Sequence, residues 1–281
     1  TAILEGTGLP GPSAVAISRP IDRELELSLG AIVKSTQTRF GLERLGVVPA
    51  GVLDAMLVDV DGDGADEIVV LGVDGVRVFR PGASRLERVG NVVKLPDDRR
   101  WPRGPAGWLA RIDGNKLWAV TSAGHSLVVD VKTQRAENGP ADLVPLRNAP
   151  GPLGPLCGTG HIGTPVISLP LVTLTHELVR TPGLPTKVRD VGIVQGGYVV
   201  VDADGQLLGF RTGEPATLLA PERVGDRIVI TDLDSDGEPE IVTTSASPPG
   251  EPDHLVVRRL DTKLSQATEL YRSALSGGTI A

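Results

Sequence analysis

Five carboxylates fall within nine residues of the stretch VDVDGDGADEIVV, at Asp59, Asp61, Asp63, Asp66 and Glu67. Two carboxylates ~5 Å apart repel by roughly 3 kcal/mol at an effective dielectric of about 20, so something must offset the crowding. A second copy, ITDLDSDGEPEIVTT, begins at Ile230. Asp59, Asp61, Asp63, Gly64 and Glu67 align with Asp232, Asp234, Asp236, Gly237 and Glu240 at a constant offset of 173, and apolar strands flank both copies. A hard cation with oxygen ligands explains the spacing. Alternate residues of a tight loop can turn their carboxylates inward, and glycine permits the left-handed backbone that keeps the loop small. A backbone carbonyl near Ala65 or Glu238 and a water would complete the shell. Calcium suits such a set better than zinc, because neither loop contains His or Cys. The alternative, two solvated acidic turns without metal, keeps the repulsion for no benefit.

The elements that must position these loops repeat along the chain. PSAVAISRPIDRELELSLGAIVKSTQTRFGLERLG (from Pro12) and LDAMLVDVDGDGADEIVVLGVDGVRVFRPGASRLERVG (from Leu53) share one order: apolar strand, turn, strand, glycine-containing turn, third strand, LERxG. Further units begin near Gly107, Arg189 and Asp226, and a degenerate one is expected in Gly160 to Thr181. Units of this length, each with three or four short strands, are the sequence form of a β-propeller. The expectation is an all-β chain forming a single β-propeller of six or seven short, antiparallel, four-stranded blades. The blades are placed near 12–50, 51–97, 98–148, 149–188, 189–225 and 226–276, with the two ends closing the ring or forming a partial seventh blade. Thr1 stands where an initiator Met would be, which reads as a processed or trimmed polypeptide. A β-sandwich or two small β domains is the alternative. Self-similar strand groups and the lack of linker composition argue against it.

Both acidic loops resemble the calcium loop of the FG-GAP/VCBS repeat family, found in integrin α-subunit propellers and many bacterial exported proteins. Its pattern D-x-D-x-D-G-x-x-[DE] joins the first two strands of a blade. The resemblance implies two calcium sites, with ligands Asp59, Asp61, Asp63 and Glu67 in one loop and Asp232, Asp234, Asp236 and Glu240 in the other, while Asp66 and Glu238 point outward. An EF-hand is excluded, since that loop closes with its glutamate at the twelfth position between helices. The chain also departs from the family pattern. SRPIDREL replaces the loop after Pro12, only Asp113-Gly114-Asn115 remains in the Gly107 unit, and the Phe-Gly and Gly-Ala-Pro signatures are mostly missing.

The formal charge of −7 argues against a nucleic-acid or anionic-membrane surface, and no apolar run approaches the ~20 residues of a membrane span. One cysteine, Cys157, excludes an internal disulfide framework and is expected to be a buried thiol. The glycine patterns at Gly6, Gly8 and Gly11 and at Gly158, Gly160 and Gly163 lack the strand-to-helix setting of a dinucleotide site. HELVR at His176 lacks the second histidine of a zinc-protease helix. Trp118 is expected in the core, and Trp101 at the rim or packed. No catalytic constellation is evident. The expected function is a non-enzymatic interaction scaffold that binds protein partners in a larger extracytoplasmic assembly, at the cell surface, in the periplasm or secreted. A glycan-active propeller, lectin or polysaccharide lyase, is the alternative, but eight aromatics in all make a multi-blade sugar platform hard to build.

Overall fold

The computed structural model describes residues 2–5, 14–17, 48 and 51–273, apart from 83–84, 98–99, 103–104, 147–156, 161–165, 174–178, 180–182, 212, 235 and 247–252. Most of the unit expected at 12–50 therefore lies outside the described residues. So do His161, the HELVR segment from His176 to Arg180, Val179 excepted, and the Pro-rich insertion at 247–252. Within them the chain is all β, with no helix.

A short pair, β1 (Ala2–Glu5) and β2 (Ala14–Ile17), precedes three four-stranded antiparallel sheets and one larger sheet. The first four-stranded sheet holds β3 (Val52–Val58), β4 (Glu67–Gly72), β5 (Gly75–Pro81) and β6 (Leu86–Lys94) in chain order. The second holds β7 (Gly107–Asp113), β8 (Lys116–Thr121), β9 (Ser126–Asp130) and β10 (Arg135–Asn138). The last holds β18 (Val224–Thr231), β19 (Glu240–Ser245), β20 (Leu255–Leu260) and β21 (Ala267–Arg272). Between them β11 (Val144–Pro145), β12 (Cys157–Gly160) and β13 (Ile167–Val172) join β14 (Lys187–Val194), β15 (Gly197–Asp202), β16 (Leu207–Arg211) and β17 (Thr217–Leu218). An unpaired edge leaves a row of free N–H and C=O groups. Here β13 meets β14 at Ile167↔Val188 and Ser168↔Lys187, which merges two expected units into one seven-stranded sheet.

Side chains alternate across a strand, so a sheet buried on both faces needs apolar residues at every position. That accounts for KLWAVT in β8. Leu117 and Ala119 pack toward the first sheet with Leu53, Leu71 and Val78, whereas Trp118 and Val120 pack the other way, with Cys157, Ile167 and Val191. The same alternation recurs in β15, where Val200 faces the second sheet's side and Val199 and Val201 face Val224, Ile228 and Ile241. The sheets thus stack face to face in chain order, with β3 against β7 and β14 against β18. Trp118 is fully buried, as its strand position predicts, and its Nε1–H donates to Ser126 Oγ at 2.9 Å. Half-buried Trp101 packs on the first core cluster.

Tight turns are built by glycine where a side chain has no room. β4 and β5 join through Val73-Asp74 between Gly72 and Gly75. A Cβ on Gly75 would lie 2.4 Å from the Val93 carbonyl oxygen on β6.

Candidate functional site

The two acidic loops connect the first and second strands of their sheets, Val58 to Glu67 and Thr231 to Glu240, and those terminal residues pair directly. Gly64 and Gly237 adopt φ of +86° and +85°, the left-handed backbone their shared position requires. Each loop is closed by the same hydrogen bonds. Asp59 Oδ2 accepts the Gly64 N–H at 3.0 Å, and Asp232 Oδ2 accepts that of Gly237 at 2.7 Å. Asp63 Oδ1 accepts from Ala65, and Asp236 Oδ1 from Glu238, both at 2.8 Å. The closing glutamates fold back: Glu67 Oε2 accepts the Val60 N–H and Glu240 Oε2 that of Leu233, both at 2.9 Å. Bonds from N–H to an ionised carboxylate are about twice as strong as neutral ones, so they hold the loops small against the carboxylate repulsion.

These closures bring one oxygen each from Asp59, Asp61 and Glu67 within 4.8 Å of one another, and likewise from Asp232, Asp234 and Glu240. Asp63 and Asp236 stand outside these groups. Asp66 and Glu238 are exposed, and Glu238 Oε2 lies 4.0 Å from Arg259. Oxygens bound to one calcium at 2.3–2.6 Å are at most about 5 Å apart, so each group is compact enough, in an all-oxygen donor set, for a hard cation. Glu67 and Glu240 are 1 % and 0 % exposed, which makes them the least solvated members. Burial pushes the Glu240 carboxyl above the usual range, opposed by its bonds from the Leu233 N–H and Arg259.

Two residues with no place in the loop pattern complete the groups. Arg80, on β5, donates from Nη2 to Glu67 Oε1 at 2.7 Å and also bonds Asp61. Arg259, on β20, donates from Nη2 to Asp234 Oδ2 at 2.7 Å and to Glu240 Oε1 at 3.0 Å, and reaches Asp236 at 3.0 Å. The arginines follow their glutamates by 13 and 19 residues, and the six residues 247–252 equal the difference. Arginine on the third strand, facing the loop's glutamate across the ladder, was the signal available in VRVFR and LVVRRL.

A second set of polar residues ties sheet to sheet. Buried Asp54 on β3 accepts the Ala55 N–H at 3.0 Å with Oδ1 and the Leu109 N–H of β7 at 2.7 Å with Oδ2. Asp190 on β14 does the same with Val191 at 2.9 Å and Ile228 of β18 at 3.0 Å. Strand register shifts at Val52/Asp54 and at Val188/Asp190 aim both carboxylates toward the neighbouring sheet. Arg227 stands at the 173 offset from Asp54 and spans farther. It donates to the Arg189 carbonyl of β14 at 3.2 Å and to the Gly107 carbonyl of β7 at 2.6 Å, 120 residues away. Its guanidinium lies 4.9 Å from the centre of the Trp108 ring. An aspartate inside an apolar strand, as in LDAM and RDVG, is itself a signal, because a buried carboxylate needs a partner.

The remaining candidates are structural in their geometry. His125 is buried, its Nε2–H directed at the Pro96 carbonyl at 2.9 Å and its Nδ1 3.0 Å from the Thr121 hydroxyl. Cys157 is fully buried, and burial pushes its thiol up to about 12. A cavity of about 440 Å³ lies beside Trp108, His125 and Asn138, and another of about 360 Å³ lies between Arg211, Leu260 and the Gly237–Pro239 turn of the second acidic loop. No described helix is long and apolar enough to cross a membrane.

No family profile matches the chain, and no curated protein matches it in sequence. In fold it is similar to a chain in a crystal structure of the mitotic checkpoint complex, with a TM-score of 0.51 at 13 % identity over 88 % of this chain and 91 % of that one. A computationally designed protein, Ika8, matches at a TM-score of 0.38 and 12 % identity over 81 % of this chain. The match spans 64 % of Ika8's own length. BBS1N, crystallised with ARL6DN, matches at 0.44 and 11 % identity over 79 % of this chain and 82 % of that one. The first likeness bears on fold alone.

Proposed function

We propose that the chain is a β-propeller scaffold of the FG-GAP/VCBS kind, without catalytic activity, that presents a preformed loop face to a protein partner in an extracytoplasmic assembly. The observation that carries this reading is the pair of acidic loops, alike in spacing, backbone and hydrogen bonds, at the same place in two sheets. Arg227 supports the ring: β3 lies beside β7 and β14 beside β18, and β18 reaches back to β7 past β14, as first strands about a common centre would.

The carboxylates of Asp59, Asp61, Asp63 and Glu67, and of Asp232, Asp234, Asp236 and Glu240, are the groups that would hold calcium. Bound there, the ion supplies positive charge that neutralises the loop. The chain's own part is to hold the oxygens together through Gly64, Gly237 and the main-chain N–H groups before any ion arrives. A loop ordered in advance loses less entropy when a partner docks.

Capture of partners from the native envelope, run beside a glycan array, tests the reading. A co-purifying protein that binds the purified chain directly supports it. A glycan hit with no protein partner overturns it in favour of a glycan-binding propeller.

A further inference from the structure

The arginine facing each acidic loop pairs with carboxylates of the group a cation would use, and the two arginines are held differently. Arg80 bonds two carboxylates, Asp61 and Glu67, and its side chain is 46 % exposed beside an Asp61 that is 42 % exposed. Arg259 contacts four, Asp234, Asp236, Glu238 and Glu240, is 24 % exposed, and closes over an Asp234 that is only 7 % exposed. Attraction between opposite charges strengthens as solvent is excluded, and each added carboxylate contact must be broken before the guanidinium can leave. A guanidinium seated among these carboxylates repels a divalent ion of like charge and crowds the space it would enter.

We propose that Arg80 and Arg259 are built-in counter-cations of the two loops, and that the first loop exchanges its arginine for a divalent cation while the second keeps Arg259 in the ion's place. The inference rests on the calcium reading above and divides it between the loops. In the first, Arg80 swings toward solvent as the ion takes Asp61 and Glu67. In the second, the arginine holds the turn closed with or without calcium, so that sheet is ordered at any calcium level and the first responds to it. Glu240 beneath Arg259 is fully buried and keeps its arginine as partner.

Calcium titration of the chelator-stripped chain by calorimetry decides the matter. The expected stoichiometry is one ion per chain for the wild type, none for Asp59→Asn, two for Arg259→Gln and one for Arg259→Gln with Asp59→Asn. Arg80→Gln is expected to bind its single ion at least tenfold more tightly, since no arginine must be displaced. Two ions in the wild type, or one in Arg259→Gln, overturns the inference and leaves the calcium reading standing. No ion in any chain, Arg80→Gln with Arg259→Gln included, overturns the calcium reading itself. If Arg259→Gln does not fold, the wild type still decides: one ion lost in Asp59→Asn supports the inference, and two ions, or one retained in Asp59→Asn, overturn it.

Discussion

Asp54 Oδ2 accepts the main-chain N–H of Leu109 at 2.7 Å, and the two residues belong to the first strands of neighbouring sheets. The bond is buried. Asp54→Ala removes that buried partner, which costs about 1–3 kcal/mol. Asp190→Ala, with the matching bond to Ile228, is expected to cost as much. Urea midpoints of the single and double variants check this. Midpoints equal to the wild type's would show that the bonds do not hold the sheets together.

Arg227 makes its bonds to two carbonyls of different sheets and stacks on Trp108. Arg227→Ala is expected to lose about 2 kcal/mol or more, from the charge-assisted bonds and the cation–π contact. Lysine carries a compact ammonium and cannot span both carbonyls as the planar fork does, so Arg227→Lys is expected to recover less than half. Full recovery by lysine would reduce Arg227 to a point charge.

Calcium at a hundredfold excess over its Kd adds about 2.7 kcal/mol per site to the folded state. Thermal melts with calcium and with chelator are therefore expected to differ, and Asp59→Ala with Asp232→Ala to abolish the difference. An unchanged melting temperature on chelation would remove calcium from the account.

Acid sensitivity has an identifiable contributor away from the loops. The Ser265 hydroxyl, then the Gln266 and Ser265 N–H groups, hold the Asp261 carboxyl below its usual range. The folded chain thus binds this proton less readily than the unfolded chain. The stabilisation is fully present above the unfolded value near 3.8 and is lost as pH falls through the lower folded value. Arg272 acts likewise on Glu269. Urea midpoints measured from pH 5 downward are expected to fall less steeply in Asp261→Asn than in the wild type. Parallel curves would exclude Asp261 as a contributor.

The acidic loops and the all-β character were legible in the sequence because both are local. A strand alternates over five to nine residues, and the loop's repeated acids, glycine and closing glutamate fall within nine. The main-chain hydrogen bonds that Asp59, Asp63 and Glu67 accept lie within that span. Trp118 in the core followed from its apolar strand, and buried Cys157 from the ordinary behaviour of a lone cysteine.

What the chain determined by itself, then, was strand character, turn chemistry and the places where carboxylates crowd. Tertiary structure alone decided what neutralises and connects them. Arg80 and Arg259 meet their loops only after a third strand returns across the ladder, and Arg227 meets Gly107 only when sheets 120 residues apart come together. Coulomb attraction and hydrogen bonding depend on distance in space, and folding sets that distance between residues whose separation along the chain carries no record of it.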